Sequence, residues 1–224
     1  MAETRCEVSP KLSKSRPNLY ARIRGSVRKG LVGSRAKELE LLKEASVELA
    51  LQALEARDKV IARHSARAAD LATRLAQRLE LDDGNVALMR MAAMLHDLGM
   101  IGVRDDILHK PGPLDEDEWE IMRRHPDIGA DLIAWHPALA AATPHVRHHH
   151  ERWDGSGYPA GLRGDVIPMG ARIVAVAEAF DTVTNRGIYR ADPFSAVDAI
   201  RDISERSGSW YDPSVVGALR ALDL

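Results

Sequence analysis

Nine histidines stand in this sequence, and all fall between positions 64 and 150. Five have unusual surroundings: His64 in RHSAR, His96 at the end of MRMAAMLHDLG, His125 in RRHP, and His149 and His150 heading HHERWDGSGYP. Two carboxylates share the oddity. Asp97 follows His96 directly, and Glu178 interrupts the apolar run AVAEAF. Polar groups at the inner end of an apolar helix must be paired or bound, and a buried acid with no partner stays protonated. Imidazoles and carboxylates together are ligands for divalent iron, manganese or zinc. A metal cluster therefore accounts for all seven residues at once. Taken singly, His64 reads as a packed or surface histidine. His109, His136 and His145 lack such context and read as structural, and His148 as a helix-end surface residue.

Adjacent helix residues point about 100° apart, so His96 and Asp97 are poor chelators of one ion. They suit two: His96 binds one and Asp97 bridges both. His149 and His150 are expected to divide similarly. Seven ligands fit two ions better than one, and two close ions can clamp a phosphodiester for in-line displacement.

The elements that must position these residues read as helices. Leu39, Leu42, Ala45, Leu49 and Ala53 recur at helical spacing over residues 36–57, and Ile61, Ala68, Leu71, Leu75 and Leu79 over 59–80. Asp82-Asp83-Gly84 breaks the pattern. A third helix is expected over 85–98, stopped by Gly99 as a C-terminal cap. IGVRDDILHKPGPL reads as a loop. Asp115 and Glu118 have capping-box spacing, starting a helix through residue 124 with His125 at its end. Pro126 and Pro137 are expected to open two more helices. Residues 169–183, carrying Glu178, and residues 194–206 and 213–222 complete the set. Strand periodicity is nearly absent. The expectation is an all-α fold with one domain over residues 35–224. A basic N-terminal tail over 1–34 precedes it, with a short helix around 19–29.

Composition agrees with a folded, soluble chain: 45% of the 224 residues are hydrophobic and 29% charged. No apolar run is long enough to span a membrane, no signal-peptide stretch opens the chain, and Cys6 has no disulfide partner. A cytoplasmic setting without membrane insertion is expected. Residues 1–35 hold nine Lys/Arg against two Asp/Glu, while the rest holds 22 against 31. No groove-reading motif or aromatic interleaving accompanies the basic arm, and the body is acidic, so DNA is not the expected partner.

The segments HDLGMIGVRDDIL, KPGPLDEDEWEIMRRHPDIGADLI, VRHHHERWDGSGYPAGLRGDVIPMGARIVAVAEAFD and GSWYDP strongly resemble the HD-GYP domain. That family comprises bacterial metal-dependent phosphodiesterases acting on cyclic di-GMP. The resemblance covers residues 36–224. It implies an HD-type helical bundle with two divalent ions, Fe or Mn, held by His64, His96, Asp97, His125, His149, His150 and Glu178. Asp97 is the catalytic bridge. An acid four residues before the first histidine would add a third metal, but Val60 stands there. Gly157, Tyr158 and Pro159 form the GYP loop, which shapes the site and is implied to meet a GGDEF-type or other signalling protein.

Three positions depart from the family pattern. Met100 replaces a lysine that approaches the substrate phosphate. Glu178 replaces an aspartate, moving its oxygens outward by a methylene. Gly187 replaces an arginine, leaving Arg186 and Arg190 as substrate contacts. Loss of one preorganised donor costs on the order of 10²–10³ in rate. Three functions follow as expectations: hydrolysis of cyclic di-GMP to the linear dinucleotide pGpG and onward to GMP; a catalytically weakened signalling or binding module; or an HD hydrolase of another nucleotide.

Overall fold

The computed structural model describes residues 35–185 and 192–224. The basic tail with its expected short helix, and Arg186, Gly187 and Arg190, lie outside the described residues. The chain divides between Leu41 and Leu42, and the core and every described candidate residue belong to the Leu42–Leu224 unit.

The described residues are helical and form no strand; Ser207 and Tyr211 make one isolated bridge. In order, the helices are α1 (Arg35–Arg57), α2 (Lys59–Arg78), α3 (Asp83–Leu95), α4 (Asp105–Leu108), α5 (Glu116–Met122), α6 (His125–Ala134), α7 (Thr143–Arg147), α8 (Met169–Thr184), α9 (Ala196–Glu205) and α10 (Pro213–Arg220). None of them is long and apolar enough to cross a membrane.

Small residues set the architecture. Ala68, Ala72 and Ala76 of α2, Ala92 and Ala93 of α3, and Ala171 and Ala177 of α8 are fully buried. With no bulk between them, these three helices pack closely at the centre. Leu75, Leu95, Ile173 and Leu219 fill the layers around them, each contributing about 1.5–3 kcal/mol by leaving water. A second, smaller apolar cluster gathers Leu54, Ile61, Met100, Val103, Ile107, Leu108 and Met122.

Local chemistry starts the helices where expected in two cases. Asp58 accepts from the amides of Val60 and Ile61 at 2.6 and 3.0 Å and starts α2. Asp115 and Glu118 form the full capping box that opens α5.

Elsewhere the structure corrects the sequence reading. The helix expected to reach residue 98 stops at Leu95, and a 3₁₀ segment, Leu98–Gly102, follows. Gly99 is not a left-handed cap. Its Cα lies against α6, where a Cβ would stand 1.9 Å from the His125 carbonyl oxygen and 2.6 Å from the Gly129 nitrogen. The glycine serves close approach between segments, which sequence spacing does not reveal. His125 opens α6 rather than ending the preceding helix, because Pro126 occupies the first turn, where no amide hydrogen is needed. Pro137 opens no helix; Pro144, in the first turn of α7, has that role. The expected loop after Gly102 contains α4, whose first turn carries Asp105 and Asp106 at the positive end of the helix dipole.

Candidate metal centre

Four histidines are wired alike. The Nδ1 atoms of His96, His125 and His149 lie 2.7, 2.8 and 2.6 Å from the carbonyl oxygens of Ala93, Met122 and Val146, each three residues earlier. A carbonyl only accepts, so each Nδ1 carries a proton and each Nε2 is the atom left to face an ion. His64 follows the same logic with a carboxylate, its Nδ1 2.8 Å from Asp181 Oδ2. Helix ends and tight turns supply these carbonyls, because the last turn leaves them without an amide partner.

The ligand atoms fall into two groups. His64, His96 and Glu178 form one, and His125, His149 and His150 the other, with the donor atoms in each within 4.8 Å of one another. Asp97 faces both. Its Oδ2 lies 3.2 Å from His96 Nε2 and 3.9 Å from His64 Nε2, and its Oδ1 lies 3.5 Å from His125 Nε2. Glu178 Oε1 closes the space between groups, 4.0 Å from His150 Nε2. All seven expected ligands therefore converge. The expected division of His149 and His150 is not the arrangement found: both join His125, their rings 4.2 Å apart. They sit in a turn after α7, not on a helix, so the 100° divergence does not apply.

The donor set fits a divalent cation on direct observations. His96 Nε2 is buried and, with Asp97 Oδ2 3.2 Å away, makes no well-aligned hydrogen bond. The Nε2 atoms of His125 and His149 are 3.3 Å apart, although both rings have committed their protons at Nδ1. Two lone pairs that close need an electrophile, and ligands about 2.1 Å from one ion stand at such a separation. Burial, aided by mutual crowding, pushes His149 and His150 well below the ordinary imidazole range, and burial likewise lowers His125. These rings are neutral at pH 7. Burial opposes a charge on His96, but Asp97 and Glu178 outweigh it and raise its pKa to about 9. Burial also opposes the Asp97 charge, yet His96, His125 and His64 hold it well below the usual carboxylate range. Burial, opposed by His96 but reinforced by Asp97, lifts Glu178 to about 7. The wall thus carries charges that compete for a cation.

Sequence reasoning missed two supporting acids. Asp181 accepts Arg67 through both oxygens at 2.6 and 2.8 Å while it orients His64. It lies three residues after Glu178 on α8, and that same-face spacing was the available signal. Glu151 is buried and accepts from the amides of Ala160 and Leu162 at 2.7 and 3.1 Å, tying down the GYP loop. His148 is not a surface residue; its side chain is 16% exposed and faces Glu151 at 3.4 Å.

A sequence profile of the HD domain family matches residues 48–215. A Thermotoga maritima protein named cyclic di-GMP phosphodiesterase is 41% identical over 75% of this chain and 46% of its own length. A Vibrio cholerae protein named 3'3'-cGAMP-specific phosphodiesterase 2 is 36% identical over 80% of this chain and 35% of its own. This chain belongs to the HD-GYP family of HD domains. It spans about half or less of the length of those relatives. Two solved structures share the fold. A cyclic GMP-AMP specific phosphodiesterase from V. cholerae has a TM-score of 0.61 at 21% identity, covering 78% of this chain and 47% of that one. An HDG"Y"P protein from Bdellovibrio bacteriovorus has a TM-score of 0.60 at 18% identity, covering 82% and 62%.

Against the family pattern, the HD-GYP loop is well formed. Tyr158 lies nearly parallel to His150 with centroids 4.9 Å apart, and the Tyr158–Pro159 peptide is cis. Gly157 permits this, since a Cβ there would stand 2.3 Å from the Arg152 nitrogen. Met100 is buried in the smaller apolar cluster and brings no cation. Val60, at the third-metal position, is 43% exposed. A cavity of about 800 Å³ opens over His64, Asp97, His125, His150 and Glu178. Arg123 and Arg152 line it too. Arg123 lies 5.7 and 5.9 Å from the Trp119 and Tyr158 ring centroids, and Arg152 3.8 Å from that of Trp210. Aromatic faces hold both guanidinium groups and leave their N–H edges free to bind.

Proposed function

We propose that this chain is a metal-dependent phosphodiesterase that opens cyclic di-GMP to the linear dinucleotide pGpG and onward to GMP. The observation that carries the reading is Asp97, a carboxylate whose two oxygens face two separate ligand groups beneath one cavity. That cavity is within the range of small-ligand sites. The names of the Thermotoga and Vibrio relatives support a cyclic dinucleotide as substrate.

His64, His96 and Glu178 would hold one ion and His125, His149 and His150 a second, with Asp97 as the catalytic bridge. Imidazole and carboxylate without thiolate suit iron or manganese. Such a pair, when bound, polarises a phosphoryl oxygen and makes a nucleophile available at neutral pH. The chain's residues supply the rest. The Nδ1 hydrogen bonds fix each imidazole before substrate arrives, so no reorganisation is needed at the moment of reaction. Arg123 and Arg152 take the phosphate in place of the lysine that Met100 replaces. Tyr158 walls one side of the cavity against water. Pro159, with the neighbouring Ala160 and Gly161, is exposed and is the surface offered to a signalling partner.

Protein purified without oxygen and supplied with Fe²⁺ or Mn²⁺ is expected to consume cyclic di-GMP. Intact substrate after prolonged incubation would contradict the reading. It would favour the second one, binding without turnover, which the apolar surroundings of Met100 support.

A further inference from the structure

A second cavity, of about 450 Å³, shares a wall with the first: His150, Arg152, Glu178 and Thr182 line both. The ligand groups do not use its far side, which is lined by Phe194, Trp210 and Tyr211, by Asp202 of α9 and by Arg206, the C-cap of that helix. Arg206 donates to Asp202 one helical turn earlier. That pair is only partly buried, the side chains being 29% and 36% exposed, so its mutual attraction is screened and it can rearrange around a ligand at little cost.

A cyclic dinucleotide carries two bases on one ring of sugars and phosphates. With a phosphodiester over Asp97, a base carried past the shared wall enters the smaller cavity. The smaller cavity offers what a purine needs. Arg152 and Arg206 lie over the Trp210 ring at 3.8 and 4.9 Å, and Tyr211 adds aromatic surface on which a base can stack. A carboxylate accepts from the N1–H and amino group of guanine, and a guanidinium donates to its O6 and N7. Adenine has no hydrogen on N1, and its lone pair there would face the Asp202 charge. Arg152, at the shared wall, stands where the linkage between the two nucleosides passes.

We propose that the smaller cavity is a guanine subsite, with Asp202 and Arg206 reading the edge of the base and selecting guanine over adenine. The proposal rests on the phosphodiesterase reading and adds the determinant of base choice. It is tested with metal-loaded native protein and the variants Asp202→Asn and Arg206→Gln, both at partly exposed positions. The readout is kcat/KM for cyclic di-GMP, cyclic di-AMP and bis(p-nitrophenyl) phosphate, a diester with no base. In D202N the asparagine offers adenine a complementary amide. The preference for cyclic di-GMP over cyclic di-AMP is expected to fall at least tenfold, mainly through KM. The ratio of cyclic di-GMP to the base-free diester falls with it, and R206Q shifts both ratios in the same direction. Ratios within twofold of native in both variants would overturn the subsite while leaving the phosphodiesterase reading intact. Native protein that cleaves the base-free diester but neither cyclic dinucleotide would overturn the substrate reading, and the subsite with it.

Discussion

The wall of candidate ligands and the shell of side chains around the cavity are built differently. On the wall, backbone carbonyls three residues back orient His96, His125 and His149, and a carboxylate locked by Arg67 orients His64. In the shell, the arginines rest on aromatic faces, and Met100 sits among aliphatic side chains. A backbone carbonyl cannot be removed by a side-chain substitution, so the wall tolerates little variation in what orients it. Side chains in the shell can be exchanged while the wall stays intact. On the proposed reading, metal chemistry and base choice can therefore change independently on this scaffold.

The largest expected effect strikes the wall. Asp97→Asn keeps the shape but removes the charge shared by both groups. Turnover should drop by on the order of 10³ or more, and elemental analysis should find metal lost from the protein. Retained metal with retained turnover would remove Asp97 from the centre of the account. Next comes Asp181→Ala, which touches no ligand site directly but frees His64. Metal titration should register about 10–100-fold weaker binding; an unchanged titration would mean that His64 needs no such support. In the shell, Arg123→Ala and Arg152→Ala should each raise KM for cyclic di-GMP by about tenfold, the loss of one charged hydrogen bond. Metal content should hold at the native value, and a parallel loss of metal would blur the division between wall and shell. The smallest effect is expected for Met100→Lys. Met100 packs with Leu54, Ile61 and Met122 and also lines the cavity, but Arg123 and Arg152 already provide cations. Turnover should rise by no more than about tenfold, short of the roughly 10²–10³ that an absent donor costs. A larger rise would mean that the arginines do not compensate.

The same contrast explains what the sequence made legible. The seven candidate ligands could be picked out because each stands out locally, as a polar residue where an apolar helix or turn has no use for one. The helical fold was readable for a related reason: the α2 stripe from Ile61 through Leu75 has the period of a helix in the chain itself. What depends on distant segments was not. Gly99 looks like a cap by position, and only the neighbouring His125 carbonyl reveals it as a contact. Asp181 looks like any acid late in a helix until Arg67 and His64, more than a hundred residues earlier, meet it. Arg152 belongs to the loop motif, but Trp210 sets its position through a turn that pairs Trp153 with Trp210 and Asp154 with Ser209.

The central claim is that two ligand groups joined by Asp97 act together on a cyclic dinucleotide. The most direct test is cyclic di-GMP hydrolysis by anaerobically prepared protein, followed as Fe²⁺ or Mn²⁺ is added by equivalents. The account predicts little turnover through the first equivalent and a steep rise across the second, with the linear dinucleotide as the first product. Cyclic di-GMP left intact beyond two bound equivalents, or full activity at one, would contradict it.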